Sequence, residues 1–115
     1  MKKFTLVLLM LLSVLVLAGC SKITESYANK VDEAAAADEH LTYAQVIKDL
    51  GEAHSDATVD VPVIGRNGLC IWYAGCDSET DARAKVTNGE TVYVLTITFA
   101  GGKAIDAAWN SYKPS

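Results

Sequence analysis

The chain has 115 residues, with 14 Asp and Glu against 10 Lys and Arg and a formal net charge of −4. That length holds one domain with a modest core. Such an acidic balance argues against electrostatic capture of nucleic acid or anionic lipid headgroups, which rely on clustered Lys and Arg.

The chain begins with a charged start, Lys2-Lys3, and a nearly unbroken apolar run from Phe4 to Leu17. The small residues Ala18 and Gly19 then precede Cys20. This is the layout of a secretory signal. The run is about 14 residues, short of the roughly 20 that a spanning helix needs. Leu17-Ala18-Gly19-Cys20 resembles the lipobox of bacterial lipoproteins. The resemblance implies a diacylglyceryl thioether on Cys20, cleavage just before it, and acylation of the new amine, for example with palmitate. Several acyl chains hold a protein stably where one holds it only reversibly. The other reading is an ordinary secretory signal that leaves Cys20 as a free thiol. Ser21, where some lipoproteins carry Asp, resembles the sorting pattern for the outer membrane. The expected place is therefore the cell envelope: the periplasmic side of the outer membrane where two membranes exist, otherwise the outer face of the plasma membrane. The expected organisation is a signal peptide over 1–19, a lipidated cysteine with a short tether over 20–24, and one domain over 25–115. Without the first 19 residues, eight basic side chains face fourteen acidic ones, a balance of about −6.

A first helix is expected from Glu25 to Glu39, with Ile23, Tyr27 and Val31 as a thin apolar stripe continued by Ala34 and Ala35. A second runs from Tyr43 to Leu50. Thr42 and Gln45 form a capping box, Leu41 and Val46 a hydrophobic staple, and Gly51 ends it. Val46, Ile47 and Leu50 are its buried face.

The period then changes to two. Val59, Val61 and Val63 alternate with Thr58, Asp60 and Pro62, a strand that Pro62 demotes to an edge or irregular one. Gly65-Arg66-Asn67-Gly68 reads as a turn. Leu69 to Ala74 is an apolar strand, and its alternation puts Trp72 and Tyr73 on opposite faces. Gly75 to Gly89 reads as a long acidic loop or extended hairpin. In Glu90 to Phe99, the side chains of Tyr93, Leu95, Ile97 and Phe99 share one face. Ala100-Gly101-Gly102 is a hairpin turn. Lys103 to Trp109 returns with Ile105, Ala107 and Trp109 on one face. The predicted fold is α+β: two N-terminal helices packed on one face of a three- to four-stranded antiparallel sheet.

Cys70 and Cys76 are an even pair in a compartment where disulfides persist. A straight strand would hold them about 20 Å apart, whereas a disulfide needs Cα atoms within about 7 Å. A bridge therefore requires a bend at Ala74-Gly75. Two unpaired thiols is the other reading.

Several short segments together resemble known lipoproteins. They are Ile23-Thr24-Glu25-Ser26-Tyr27, Leu41-Thr42-Tyr43-Ala44-Gln45-Val46, Leu50-Gly51-Glu52, Trp72-Tyr73, and Leu95-Thr96-Ile97-Thr98-Phe99 before Gly101-Gly102-Lys103. The succession resembles small bacterial lipoproteins of unknown function on the β-lactamase-inhibitor-protein-like fold. It also resembles the SmpA/OmlA outer-membrane lipoproteins, accessory subunits of the β-barrel assembly machine. Both imply two helices on a small antiparallel sheet; the second implies an assembly-accessory role, and the inhibitor fold of the first suggests an inhibitor-like one.

Catalytic patterns are sparse. His40 and His54 lack partners at metal-ligand spacing and read as solvated loop residues. Asp77, Glu79 and Asp81 alternate faintly like a calcium loop, but the required glycine is replaced by Ala82 and the twelfth position is Asn88. A nucleophile elbow, a phosphate-binding loop and a redox C-x-x-C are all missing from the sequence. No catalytic residue, metal or cofactor is expected. Trp72, Tyr73, Trp109 and Tyr112 are the candidate protein-binding residues, with Tyr93 expected in the core. Since helices cover one sheet face, Trp72 or Tyr73 should be exposed on the other and serve as a hot spot. The expected function is a non-enzymatic envelope module that binds another envelope protein. The alternative is an inhibitor-like module that binds a β-lactamase or cell-wall enzyme.

Overall fold

A computed structural model describes residues 22–113. Cys20 and the apolar run before it lie outside them. The elements are α1 (Glu25–Ala36), α2 (Tyr43–Leu50), β1 (Ser55–Val61), β2 (Gly65–Tyr73), α3 (Glu79–Thr87), β3 (Tyr93–Ala100) and β4 (Lys103–Ser111). The strands form an antiparallel meander in the order β1-β2-β3-β4. The fold is α+β, with both N-terminal helices on one sheet face, as the sequence predicts. Among the described residues no helix is long and apolar enough to cross a membrane.

Thr24 caps α1 by accepting from the Tyr27 amide. The helix stops at Ala36, three residues short of expectation. Asp38 takes a left-handed φ of 58°, and the Glu39 amide turns back to the Ala34 carbonyl at 2.8 Å. A short polar side chain tolerates that conformation, so the helix closes there. The bounds of α2 match the prediction, and both hydrogen bonds of its capping box are present.

The inner core joins Ala28 and Val31 of α1 and Val46 of α2 to Cys70, Trp72, Leu95, Ile97, Phe99, Ala104 and Ala107 of the sheet. The Trp72 indole is fully buried and donates to the Gly51 carbonyl at 3.1 Å. Burying a side chain this large against well-packed neighbours contributes several kcal/mol, on the order of 3–5 by truncation.

Four expectations change. Gly65-Arg66-Asn67-Gly68 is not a turn but the first half of β2; the chain reverses at Pro62, Val63 and Ile64, so Val63 lies beyond the strand. Gly65 and Gly68 answer to crowding. A Cβ on Gly65 would meet the Gly101 carbonyl carbon at 2.8 Å, and one on Gly68 would strike the Ala57 carbonyl oxygen. Close backbone approach is what these glycines permit. Next, a bulge between Thr98 and Phe99 shifts the β3–β4 register, so Phe99 pairs with Ala104 and Ile97 with Ala107. Ala104 thereby fills the core and Ile105 is pushed out to solvent. Third, Gly75 to Gly89 contains α3. Ser78 caps it by accepting from the Asp81 amide, and Glu79–Arg83 and Asp81–Lys85 pairs brace it. Finally, α3 covers part of the outer sheet face, where Tyr73, Ala82 and Val92 form a second cluster with Ile71, Cys76, Val86, Val94 and Tyr112.

The two sheet edges are handled differently. Along β4, the Ala107 amide donates to the Asp32 carboxylate of α1 at 2.9 Å, and the Ala104 amide donates to the Leu41 carbonyl at 2.7 Å. Along β1, the Thr58 amide is taken by the side chain of Asp56 at 2.9 Å; Asp60 and Pro62 follow it.

Candidate functional site

The structure gathers polar and aromatic groups in three places. The first is a cleft of about 230 Å³ between α2 and β1, lined by Tyr43, Ile47, Glu52, Ala53 and Asp56. The Tyr43 hydroxyl donates to Asp56 at 2.6 Å, and both the amide and hydroxyl of Thr58 donate to the other carboxylate oxygen. Arg66 donates to the Thr58 hydroxyl at 2.9 Å and lies over the Tyr43 ring, 4.3 Å from its centroid.

This cluster has the composition of an acid–base site but not the protonation. Burial would raise the Asp56 carboxyl, yet the hydrogen bonds from Thr58, Tyr43 and Cys70 outweigh it and hold the group at about 2. The hydrogen bond to Asp56 pushes the Tyr43 phenol up to about 12. Burial, with the Asp56 charge beside it, pushes the Cys70 thiol up to about 12. At neutral pH the carboxylate is ionised and both neighbours keep their protons, so none is poised for proton exchange or nucleophilic attack. The arrangement clamps α2 onto the edge strand.

The second place is the outer cluster. His54 is no solvated residue: its Nδ1 accepts from the Tyr73 amide at 2.7 Å, and its ring stacks on Tyr73 at 5.7 Å. Burial lowers the imidazole pKa, partly offset by Asp77. Tyr112 meets Tyr73 edge-on at 4.9 Å, and its hydroxyl is buried without a partner among the described residues.

The expectation that Trp72 or Tyr73 is exposed is overturned. Trp72 lies under α1 and α2, and Tyr73, only 4% exposed, lies under α3 and His54. Among the described residues Cys70 and Cys76 are both free. They belong to clusters on opposite faces of the sheet, which is why no bend joins them. The Asp77-Glu79-Asp81 alternation is the N-terminal turn of α3, where the Asp81 carboxylate accepts from the Asp77 amide. Among the described residues no group of His, Cys, Asp and Glu is placed to hold a metal.

The third place is the surface. Tyr93, expected in the core, is 45% exposed and stacks on the half-buried Trp109 at 5.4 Å. The other large apolar side chains exposed among the described residues are Val59, Val63, Ile64, Leu69 and Ile105. These five lie toward the end of the sheet that carries the β1–β2 and β3–β4 turns. That end is stitched together. The Gly102 amide donates to the Arg66 carbonyl at 2.9 Å, and the Gly101 amide donates to the Asn67 side chain at 3.0 Å. From this fixed base Val63 projects into solvent with a φ of 72°. A β-branched residue is strained there, at a cost of about 1–3 kcal/mol. Sequence reasoning missed this pair because Val63 continues the strand's alternation; only Pro62 marks the reversal.

No protein-family profile matches the chain, and comparisons with curated proteins and with solved structures find no match.

Proposed function

We propose that this chain is a lipid-anchored envelope protein whose domain binds another envelope protein through the turn end of its sheet. The observation that carries this reading is Val63: a β-branched side chain in a strained conformation, fully exposed beside exposed Ile64. Glycine or asparagine would fit that backbone at lower cost. A valine that weakens the free domain and packs on nothing is explained by a contact made outside it. Val59, Leu69 and Ile105 extend the apolar surface around it. The lipobox-like Leu17-Ala18-Gly19-Cys20 supplies the anchor in this reading.

The test is crosslinking in cells of the full-length protein against its Val63→Ser, Ile64→Ser double variant. The variant should melt within about 4–8 °C of the parent, since two exposed substitutions change stability by no more than about 0.5 kcal/mol each. Its crosslinked partner should fall at least tenfold. An unchanged partner would remove this surface from the account. Among partners lost with the variant, barrel-assembly subunits support the accessory role that the SmpA/OmlA resemblance implies, and a β-lactamase or wall enzyme supports the inhibitor-like one.

A further inference from the structure

The chain joins the domain at a defined place. Ile23 packs against the inner core and Thr24 already caps α1, so fewer than a handful of residues separate Cys20 from folded structure. Three residues span at most about 11 Å. A lipid on Cys20 therefore holds that end of the domain within about one headgroup layer of the bilayer.

The side chains at that end follow from the register. Asp32 of α1 is bonded to Ala107 of β4, and further along the chain Leu41 is bonded to Ala104, so α1 runs antiparallel to β4. From Asp32 back to Ile23 is about 13 Å at helical rise, and from Ala107 on to Ser111 is about 13 Å at strand rise. Ser111 is paired with Tyr93. The chain thus joins the domain level with the exposed Tyr93 ring and its stacked partner Trp109. The turn bearing Val63 and Ile64 lies at the far end of the strands, about 25 Å away along β3.

Resting on the lipid anchor proposed above, we infer that the domain stands with its Tyr93–Trp109 end on the phospholipid headgroup layer. The stacked pair sits at the interface, and the Val63–Ile64 turn points away from the membrane. Tyr and Trp favour that layer because each has an apolar ring and a polar group that stays hydrated. The domain's acidic charge gives no attraction to anionic headgroups, so the pair sets the orientation and the short tether keeps it close to the surface.

The test uses full-length lipidated protein in phosphatidylcholine–phosphatidylethanolamine vesicles carrying a nitroxide on a fraction of the headgroups. On a Cys76→Ser background, a fluorophore is placed at Ser111→Cys or at Pro62→Cys. The label at 111 should be quenched several-fold more than the label at 62. Equal quenching, or stronger quenching at 62, overturns the orientation while flotation with the vesicles leaves the anchor standing. Protein that does not float, and shows no lipid on Cys20 by mass spectrometry, overturns the anchor and the orientation with it. A ten-residue Gly-Ser insertion after Ser21 separates tether from stack. Quenching at 111 should survive the insertion and be lost when Tyr93→Ser is added. Loss on insertion alone overturns the role of the aromatic pair.

Discussion

Trp72 and Tyr73 are consecutive on β2 and face opposite ways, and the structures that bury them differ. Trp72 is covered by α1 and α2, which bring Ala28, Val31 and Val46 onto a sheet face rich in large apolar side chains. Tyr73 is covered by α3, which contributes buried Ala82 and half-buried Val86, with His54 and Tyr112 closing the sides. One face is held by broad apolar contact, the other by a few aromatic contacts and short-range charge pairs. The inner face should therefore govern whether the domain folds, and the outer face should open by itself.

Trp72→Ala tests the stronger side. It removes the largest core side chain and leaves the Gly51 carbonyl without its indole partner. The expected loss is about 3–5 kcal/mol, a fall in melting temperature of more than 10 °C at about 4–8 °C per kcal/mol. A smaller fall, read by circular dichroism, would mean the two faces share the load. Ala82→Asp tests the weaker side. A carboxylate among Tyr73 and Val92 should undock α3 at a cost of about 2 kcal/mol. Hydrogen exchange should speed up over residues 79–87 while tryptophan fluorescence, from Trp72 and Trp109 of the inner face, keeps its folded wavelength. Global unfolding would break the comparison.

Acid is the mildest probe. His54 has a lowered folded pKa, so an unfolded or undocked state binds its proton more readily. Its contribution is fully present above the unfolded value of about 6.5 and is lost as pH falls through the folded value. Protonation also takes away the acceptor for the Tyr73 amide. Protection factors at the Tyr73 amide and in α3, which divide out the fall of intrinsic exchange with pH, should therefore drop between pH 7 and pH 5, and His54→Ala should flatten that dependence. A uniform drop in protection across both faces would argue for one cooperative unit.

These two faces were not equally legible in the sequence. The inner one was, because α2 announces itself through Thr42, Gln45 and Gly51, and because Leu95, Ile97 and Phe99 alternate without interruption. The outer one was not. Glu79 to Thr87 has only Ala82 and Val86 at helical spacing, and its stability comes from a Ser78 cap and ion pairs that a loop also tolerates. The bulge that exposes Ile105 leaves no mark in Lys103 to Trp109. Gly65 and Gly68 are common turn residues, and their crowding against Gly101 and Ala57 is a long-range property. The same gap hid the surface: with α3 unseen, an aromatic of β2 was expected outside, and strict alternation placed Tyr93 inside. His54 acquires its role only when the chain folds back onto Tyr73.

The two guarded edges bear on how copies of the domain behave when crowded. A strand with free amides is a template on which a neighbouring chain can extend the sheet, and repetition of that step builds fibres. Here β4 has given amides to Asp32 and Leu41. On β1 the Asp56 side chain occupies the Thr58 amide, and Asp60 and Pro62 make the rest of that edge repellent or unable to donate. Concentrating the protein, whether in a tube or side by side on a surface, therefore brings together units that do not polymerise through their sheets.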